Sequence, residues 1–319
     1  MDFFTDYFTG EELLASIAKA PYIPGRLNDP AIFTTRGLVG TKLVMEEQPL
    51  NDAGVLTATP RGTPGKAQTL EKRSVHTFET AHYRVDGSVS ADEVLNFRAV
   101  GMSMAREVIT ARRDETIAKM RRDIDLTLET LRIGVLNSPT NAFGSAPAAA
   151  AIGFGASDTE IRKKIFNNIT QPLESALKGI PYSGIHAFCS DSFWESLIES
   201  KTVRETYLNQ QAANSLRSQT TTETFSYGGV TWERYRGVGS TVITSGQAKI
   251  VPLGIPELFI QAFAPADTLD QIGAGVMGSP YYANAYPIDD GNRGWYLEMQ
   301  TNPVMICTRP TAILSIDLS

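Results

Sequence analysis

The most regular pattern of apolar positions lies in the middle of the chain. Apolar residues recur every three or four positions from Met102 to Val135, and Arg113 interrupts the stripe in its one longer gap. This spacing predicts one amphipathic helix of about 34 residues, roughly 50 Å long, which we name the spine helix. We expect its apolar side to pack on a sheet that includes the carboxyl-terminal strands. A bend in the helix or a polar partner would explain Arg113, and Glu298 or Asp317 could supply that partner. Its expected core residues are Ile117, Met120, Ile124, Leu128 and Leu131.

The first 37 residues are predicted to form an arm. Thr9 and Glu12 make a possible capping box, and Leu13, Leu14 and Ile17 follow on one side of a short helix. A helix of about three turns is not stable alone in water, so these three residues are expected to contact a neighbour.

Residues 38–85 are predicted to be an extended β-loop. Its strand-like segments are Leu43–Met45, Val55–Thr57 and Val75–Val85. The long connection before the last segment is rich in glycine and proline, and between positions 61 and 73 it has little apolar surface. Its charged residues are Arg61, Lys66, Glu71, Lys72 and Arg73. Two interpretations remain open here, a surface loop without regular structure and a projecting hairpin that contacts another subunit.

The remaining segments predict a second α+β unit and a return to β structure. Residues 86–149 hold the spine helix, residues 150–286 alternate helices with strands, and residues 287–319 contain two alternating strands. In the second unit we expect a helix opened by Asp158, a helix from Pro172 to Gly179, and a helix capped by Ser192 with Glu195. Its expected strands are Ile185–Cys189, Val230–Tyr235 and Glu257–Ala264.

Composition and charge exclude several classes of protein. The chain has 319 residues, 42% of them hydrophobic and 20% charged, which is typical of globular proteins. A net charge of -6 argues against a protein that coats nucleic acid. Two cysteines and three histidines are too few for a disulfide framework or an obvious metal site. We expect a soluble protein from a reducing compartment, because no signal peptide or membrane span is evident.

Two motifs suggest chemistry, and neither has the context that the chemistry needs. Gly273–Gly278 matches the dinucleotide-binding fingerprint, but no strand precedes it and Pro280 follows it, so we interpret it as a glycine-rich loop. His186, Cys189 and Asp191 belong to one strand and its turn, which favours a core histidine and an inert thiol. We therefore predict no catalytic residue, no metal site and no cofactor. A nucleotide-binding enzyme remains the alternative.

The order of these segments resembles the major capsid proteins of tailed bacteriophages. Short stretches are similar to the lambda-type major head protein family in particular. These stretches are Asn167–Gln171, Ile185–Ile198 with Trp194, Tyr227–Val230, Tyr286–Pro287, Met299–Gln300 and Pro303–Met305 onward. The similarity runs through nearly the whole chain in order, as scattered matches without a single signature motif.

The resemblance implies an α+β fold shared with herpesvirus capsid proteins, in which an arm, an extended β-loop, a peripheral domain and an axial domain follow one another. The peripheral domain would comprise residues 86–149 and 287–319, and the axial domain residues 150–286. The subunit would assemble as hexamers and pentamers in an icosahedral head, in the virion and before that in the host cytoplasm. Its implied partners are its own copies, a separate scaffolding protein, the portal and a possible decoration protein, with weak contact to packaged DNA and none to a membrane. A tail-tube or decoration protein is the alternative structural function.

Overall fold

The computed structural model describes residues 13, 15–17, 25–28, 32–46, 61, 74–96, 105–153, 161–204, 224–237, 239–269, 275–288 and 293–318. The strands are β1 (Phe33–Gly37), β2 (Lys42–Glu46), β3 (Val75–Glu79), β4 (Tyr83–Ser90), β5 (Thr140–Asn141), β6 (Gly144–Ser145), β7 (Ala150–Ala151), β8 (Gly184–Cys189), β9 (Thr224–Tyr227), β10 (Val230–Arg234), β11 (Gln247–Leu253), β12 (Phe259–Phe263), β13 (Tyr282–Pro287), β14 (Gly294–Thr301), β15 (Pro303–Cys307) and β16 (Leu314–Asp317). The helices are α1 (Ala91–Asn96), α2 (Ala105–Asn137), α3 (Ile161–Ile165), α4 (Gln171–Leu177) and α5 (Asp191–Glu199).

The spine helix is α2, one continuous helix of 33 residues. It lies against β4, β14 and β15, and its apolar residues form a cluster with Val89, Leu297 and Met299. Ile124 and Leu128 are each 1% exposed, and Ile117 and Met120 are also buried. Leu131 is only half-buried and lies outside this cluster, which corrects its assignment to the helix core. The next turn of the helix instead points Ile133 and Leu136 at a different cluster.

Arg113 is buried in the spine helix, at 1% exposure. Its Nε and Nη2 atoms donate to Asp114 Oδ1 at 3.0 and 2.8 Å. Glu298, which we expected to pair with it, instead forms an ion pair with Arg84 at 3.0 Å. Asp317, the other expected partner, lies in β16 on a different sheet. The expected partners were therefore wrong, because a neighbour along the helix supplies the carboxylate.

A six-stranded sheet in the order β7-β16-β11-β8-β10-β9 forms the centre of the second unit. Helices α3, α4 and α5 pack on it through one apolar cluster that includes Ile165, Leu173, Phe193 and Trp232. A π-helical turn (Phe166–Thr170) joins α3 directly to α4, so the two helices that the sequence predicted form one continuous helical segment. Asp158, the predicted start of that segment, lies outside the described residues.

The last strand departs from our expectation. β14 lies under the spine helix in an antiparallel sheet of order β13-β14-β4. β16 instead pairs antiparallel with β11 and parallel with β7 in the six-stranded sheet. The expectation that both carboxyl-terminal strands share the sheet under the spine helix is correct for β14 and wrong for β16, because alternation shows that a strand is buried without identifying its neighbours.

Two smaller expectations also differ, and a third lies outside the described residues. The segment Val75–Val85 is two strands, β3 and β4, interrupted at residues 80–82. Helix α5 begins at Asp191 after the N-cap residue Ser190, so Ser192 with Glu195 is not its capping box. The Ser192 hydroxyl instead accepts a hydrogen bond from the Gly246 amide at 2.9 Å. The predicted strand Val55–Thr57 lies outside the described residues.

A mixed sheet connects the two units. In it β1 runs parallel to β12, and β15 runs antiparallel to β12 on the other side. One side contributes Phe33 and Phe259, which stack with ring centroids 4.9 Å apart, to a cluster shared with Ile133 of the spine helix. The other side contributes Ile260 and Ile306 to the cluster beneath β2. The arm and the β-loop thus attach to the same sheet.

Candidate functional site

The structure gives the arm two attachments to its own chain. At the first, the helical residues Leu13 and Ile17 are buried in the cluster that includes Ile124 of the spine helix. The Ser16 hydroxyl donates to Asp114 Oδ1 at 2.7 Å, and the Arg121 guanidinium donates to the Ile17 carbonyl oxygen. This short helix therefore packs on the spine helix of the same chain. Leu14 lies outside the described residues.

The second attachment joins Arg26 to the six-stranded sheet. Arg26 Nε and Nη2 donate to the Glu233 carboxylate at 2.6 and 3.0 Å. Glu233 lies on β10 and is also 2.8 Å from His186 Nε2, on the neighbouring strand β8. Burial alone would raise the pKa of Glu233, but hydrogen bonds from His186 and Arg26 outweigh it, so the pKa is lowered. The carboxylate is thus held charged between the arm and the sheet.

Glu129 of the spine helix holds the residue next to Arg26. Its carboxylate accepts from the Leu27 amide at 3.1 Å and from the Tyr235 hydroxyl at 2.8 Å. Arg132 donates to the same carboxylate at 3.1 Å. Burial and the adjacent Glu129 charge raise the pKa of Tyr235, which therefore stays protonated as a donor. A Cβ atom at Gly25 would lie 2.5 Å from Glu129 Oε2, so the close approach of the arm requires glycine at this position.

We call the Arg26–Glu233 and Leu27–Glu129 contacts the arm latch. Sequence reasoning missed it. Glu129 and Glu233 are single acids inside a helix and a strand. Their partners Leu27 and Arg26 lie 102 and 207 positions away in the sequence, and only the fold brings them into contact. The one available signal was the acid next to Trp232 on the strand Val230–Arg234, because a buried charge is rarely left unpaired.

The base of the extended β-loop is a two-stranded ribbon of β2 and β3. One side carries Leu43 and Phe78, which pack with Phe143 over the mixed sheet. The other side is open, and Val44 and Val75 on it are 61% and 59% exposed. Two strands alone are marginally stable in water, so the inner side fixes the ribbon on the body while the outer side is left free for contact.

The charged residues expected to make inter-subunit contacts lie mostly beyond this ribbon. Arg61 is an exposed turn residue. Lys66, Glu71, Lys72 and Arg73 lie outside the described residues. The contacts expected of these five residues therefore remain a prediction.

The groups that suggested chemistry have structural partners. Cys189 is fully buried, and burial raises the pKa of its thiol well above the usual value. Asp191 pairs with Arg234 at 2.7 Å, and His186 is bound to Glu233. In the glycine-rich loop, the Gly278 amide donates to the Leu38 carbonyl at 2.8 Å, beside the end of β1. This bond holds the loop beside the mixed sheet, and its described residues 275–278 are neither strand nor helix.

Within the described ranges, no group of three or more histidine, cysteine, aspartate or glutamate side chains is arranged to hold a metal ion. Among the helices in the same ranges, none combines the length and the apolar character needed to cross a membrane.

The chain is similar to known proteins in sequence and in fold. A family model described as phage major capsid protein E matches residues 9–318. A crystal structure assigned to a capsid protein of a prophage of Escherichia coli CFT073 is 12% identical, with 97% of this chain and 99% of that chain covered and a TM-score of 0.61. The capsid protein of cyanophage P-SCSP1u is 9% identical, covered over 89% and 86%, with a TM-score of 0.54. That of Ralstonia phage GP4 is 14% identical, covered over 91% and 88%, with a TM-score of 0.51. No curated protein matches the sequence.

Proposed function

The chain belongs to the phage major capsid protein E family, and we propose that its copies associate as hexamers and pentamers that close an icosahedral head around the phage genome. Membership of the family makes it a structural protein of the virion that self-associates into a shell. Its fold is the mixed α/β fold of tailed-phage major capsid proteins. The arrangement of the copies, the contact residues and the other partners belong to the proposal.

The observation that carries the proposal is the half-covered ribbon of β2 and β3. Its inner side is fixed on the mixed sheet through Leu43 and Phe78, while Val44 and Val75 on the outer side face solvent. A thin shell has little volume for a core in each subunit, so apolar surface of this kind is covered when copies meet. The ribbon is therefore the part of the subunit best placed to contact the next copy.

We also propose that the loop beyond the ribbon is a tie between subunits. Four basic residues against one acid, from Arg61 to Arg73, make this stretch positive in a chain whose net charge is -6. Such a segment is complementary to the acidic surface of a neighbouring copy. Each exposed ion pair contributes under about 1 kcal/mol, but a closed shell repeats every contact many times.

The other partners follow from the capsid function. A separate scaffolding protein and the portal would direct assembly, and a decoration protein would reinforce the finished shell. Contact with packaged DNA is proposed to be weak, because an acidic subunit makes few phosphate contacts. We further propose that the chain has no catalytic residue, since His186, Cys189 and Asp191 are occupied in structural contacts.

The experiment is to express the chain alone and together with the products of neighbouring genes, and to examine both samples by sedimentation and negative-stain microscopy. Closed, uniform shells support the proposal. Stacked rings or tubes in both samples would indicate a tail protein instead. If the chain forms no shell itself and instead binds to a shell formed by another gene product, it is a decoration protein.

A further inference from the structure

A cavity of about 270 Å³ lies where the ribbon of β2 and β3 meets the body of the subunit. Five parts of the fold border it: the end of β2, the turn between β5 and β6, helix α4, the turn before β12, and the segment after β15. Its wall combines apolar and polar side chains, among them Met45, Glu46, Phe143, Glu257, Arg309 and Pro310. We name it the Arg309 cavity.

Arg309 is the unusual member of this wall. Its Nη1 atom is buried and has no hydrogen-bond partner within the described part of the chain. Burial lowers the pKa of the Arg309 guanidinium, and no described carboxylate counteracts that effect. An arginine keeps its charge nonetheless, so a buried donor without an acceptor destabilises the isolated subunit.

The acids in the wall do not accept a hydrogen bond from Arg309 Nη1. Glu257 forms an ion pair with Arg36, and its backbone carbonyl accepts the Thr308 hydroxyl at 2.8 Å. The cavity thus presents one unpaired guanidinium nitrogen, Arg309 Nη1, beside apolar surface from Met45 and Phe143. This combination suits a group with an aliphatic stem and one negative charge.

We propose that the Arg309 cavity binds an acidic side chain from a second copy of this chain. The inference rests on the proposed shell function, because it needs copies in contact. Charge complementarity supports that occupant: the chain has 35 acidic and 29 basic residues, so a neighbouring copy offers carboxylates in excess. A phosphate group fits less well than a single carboxylate, because it carries up to two negative charges and would lie beside the carboxylates of Glu46 and Glu257. The cavity also adjoins the ribbon, where copies are proposed to meet.

The first test compares Arg309→Gln with Arg204→Gln, an exposed arginine in the helical turn that follows α5, which serves as a matched control. Thermal unfolding first establishes that each soluble subunit is folded. The concentration for half-maximal shell assembly should then rise about 30-fold or more for Arg309→Gln alone. If wild-type and Arg309→Gln subunits form shells with equal yield and stability, the inference is wrong and the proposed function still stands.

The second test identifies the partner atom and does not depend on the first variant folding. Shells are assembled from a mixture of unlabelled and ¹⁵N-labelled Arg309→Lys subunits and treated with a carbodiimide, which joins an amine to a carboxylate in contact with it. Mass spectrometry should show a cross-linked peptide from position 309 that contains one unlabelled and one labelled half. Cross-links confined to halves of one label, or none at position 309 while other sites react, would contradict the proposal.

Discussion

Arg26 and Glu233 are 207 positions apart in the chain, and Arg26 Nε donates to Glu233 Oε1 at 2.6 Å. The contact joins the arm to the central strands of the six-stranded sheet. Since Glu233 also contacts His186 at 2.8 Å, one carboxylate connects the arm to two strands. The amino-terminal arm is therefore part of the packed subunit at this position.

Removing that carboxylate should release the arm. We expect Glu233→Gln to lower the free energy of unfolding by about 1–3 kcal/mol, because the amide cannot form the same charge-assisted bonds. Arg36→Gln is the matched control, since the Arg36–Glu257 pair is exposed on both sides and contributes under about 1 kcal/mol. Urea unfolding measures both. Equal losses for the two variants would contradict the latch.

The same carboxylate should make stability depend on pH. The pKa of Glu233 is lowered from its usual 4.5 in the folded state, so its contribution is complete above pH 4.5 and is lost as pH falls through the lower folded-state value. Glu233→Gln should therefore show a smaller loss of stability than wild type when the pH falls from about 7 to about 3. Unfolding by urea at both pH values checks this. Parallel losses in the two proteins would count against it.

The spine helix should be sensitive on one side only. Leu128→Ala should cost about 2–5 kcal/mol, because Leu128 is 1% exposed in the cluster under the helix. Leu126→Ala is the control: it lies two positions away in the same helix and is 48% exposed, so its effect should stay within about 0.5 kcal/mol. Chemical denaturation measures the free energy of unfolding of both variants. Similar losses would show that the helix is oriented differently.

Local patterns predicted most of the fold, because they depend on neighbours in sequence. The spacing from Met102 to Val135 indicated α2, a short and mostly apolar segment indicated β8, and alternation indicated β14. The sheet to which β16 belongs could not be predicted, because alternation fixes burial and not the pairing strand. Arg113 shows a similar limit, since its position on the stripe indicated a polar contact but not that Asp114 would provide it.

The candidate site was predictable in part. The ribbon of β2 and β3 lies where those strands were expected, and the turn-rich stretch between them lies almost wholly outside the described residues. The arm latch depends on Glu129 and Glu233 meeting residues far away in sequence, and no periodic pattern encodes such a meeting. The Arg309 cavity likewise exists only once β2 and the segment after β15 lie side by side.

The charge of the loop should affect assembly and leave folding unchanged. Replacing Arg61, Lys72 and Arg73 with glutamate should yield a subunit with wild-type thermal stability and few closed shells, because the variant loop repels the acidic neighbour. Lys178→Glu, at the exposed end of α4, serves as a single-charge control. Sedimentation quantifies the shells. A full yield of stable shells from the triple variant would refute the tie.

Both thiols should be unreactive in the folded chain. Burial raises the pKa of Cys307 to about 12 and that of Cys189 well above its usual value, so neither forms the nucleophilic thiolate near neutral pH. We expect no alkylation by iodoacetamide in the native subunit and modification of both cysteines after unfolding. Fast labelling of native Cys189 would revive the possibility of a nucleophile there.

The central claim is that this subunit builds a closed shell through its ribbon. Cryo-electron microscopy of shells formed by the expressed chain tests it directly. The account predicts an icosahedral lattice of hexamers and pentamers in which the outer side of β2 and β3, with Val44 and Val75, is covered by a neighbouring copy. A lattice in which that side remains open to solvent, or the absence of any closed lattice, would contradict it.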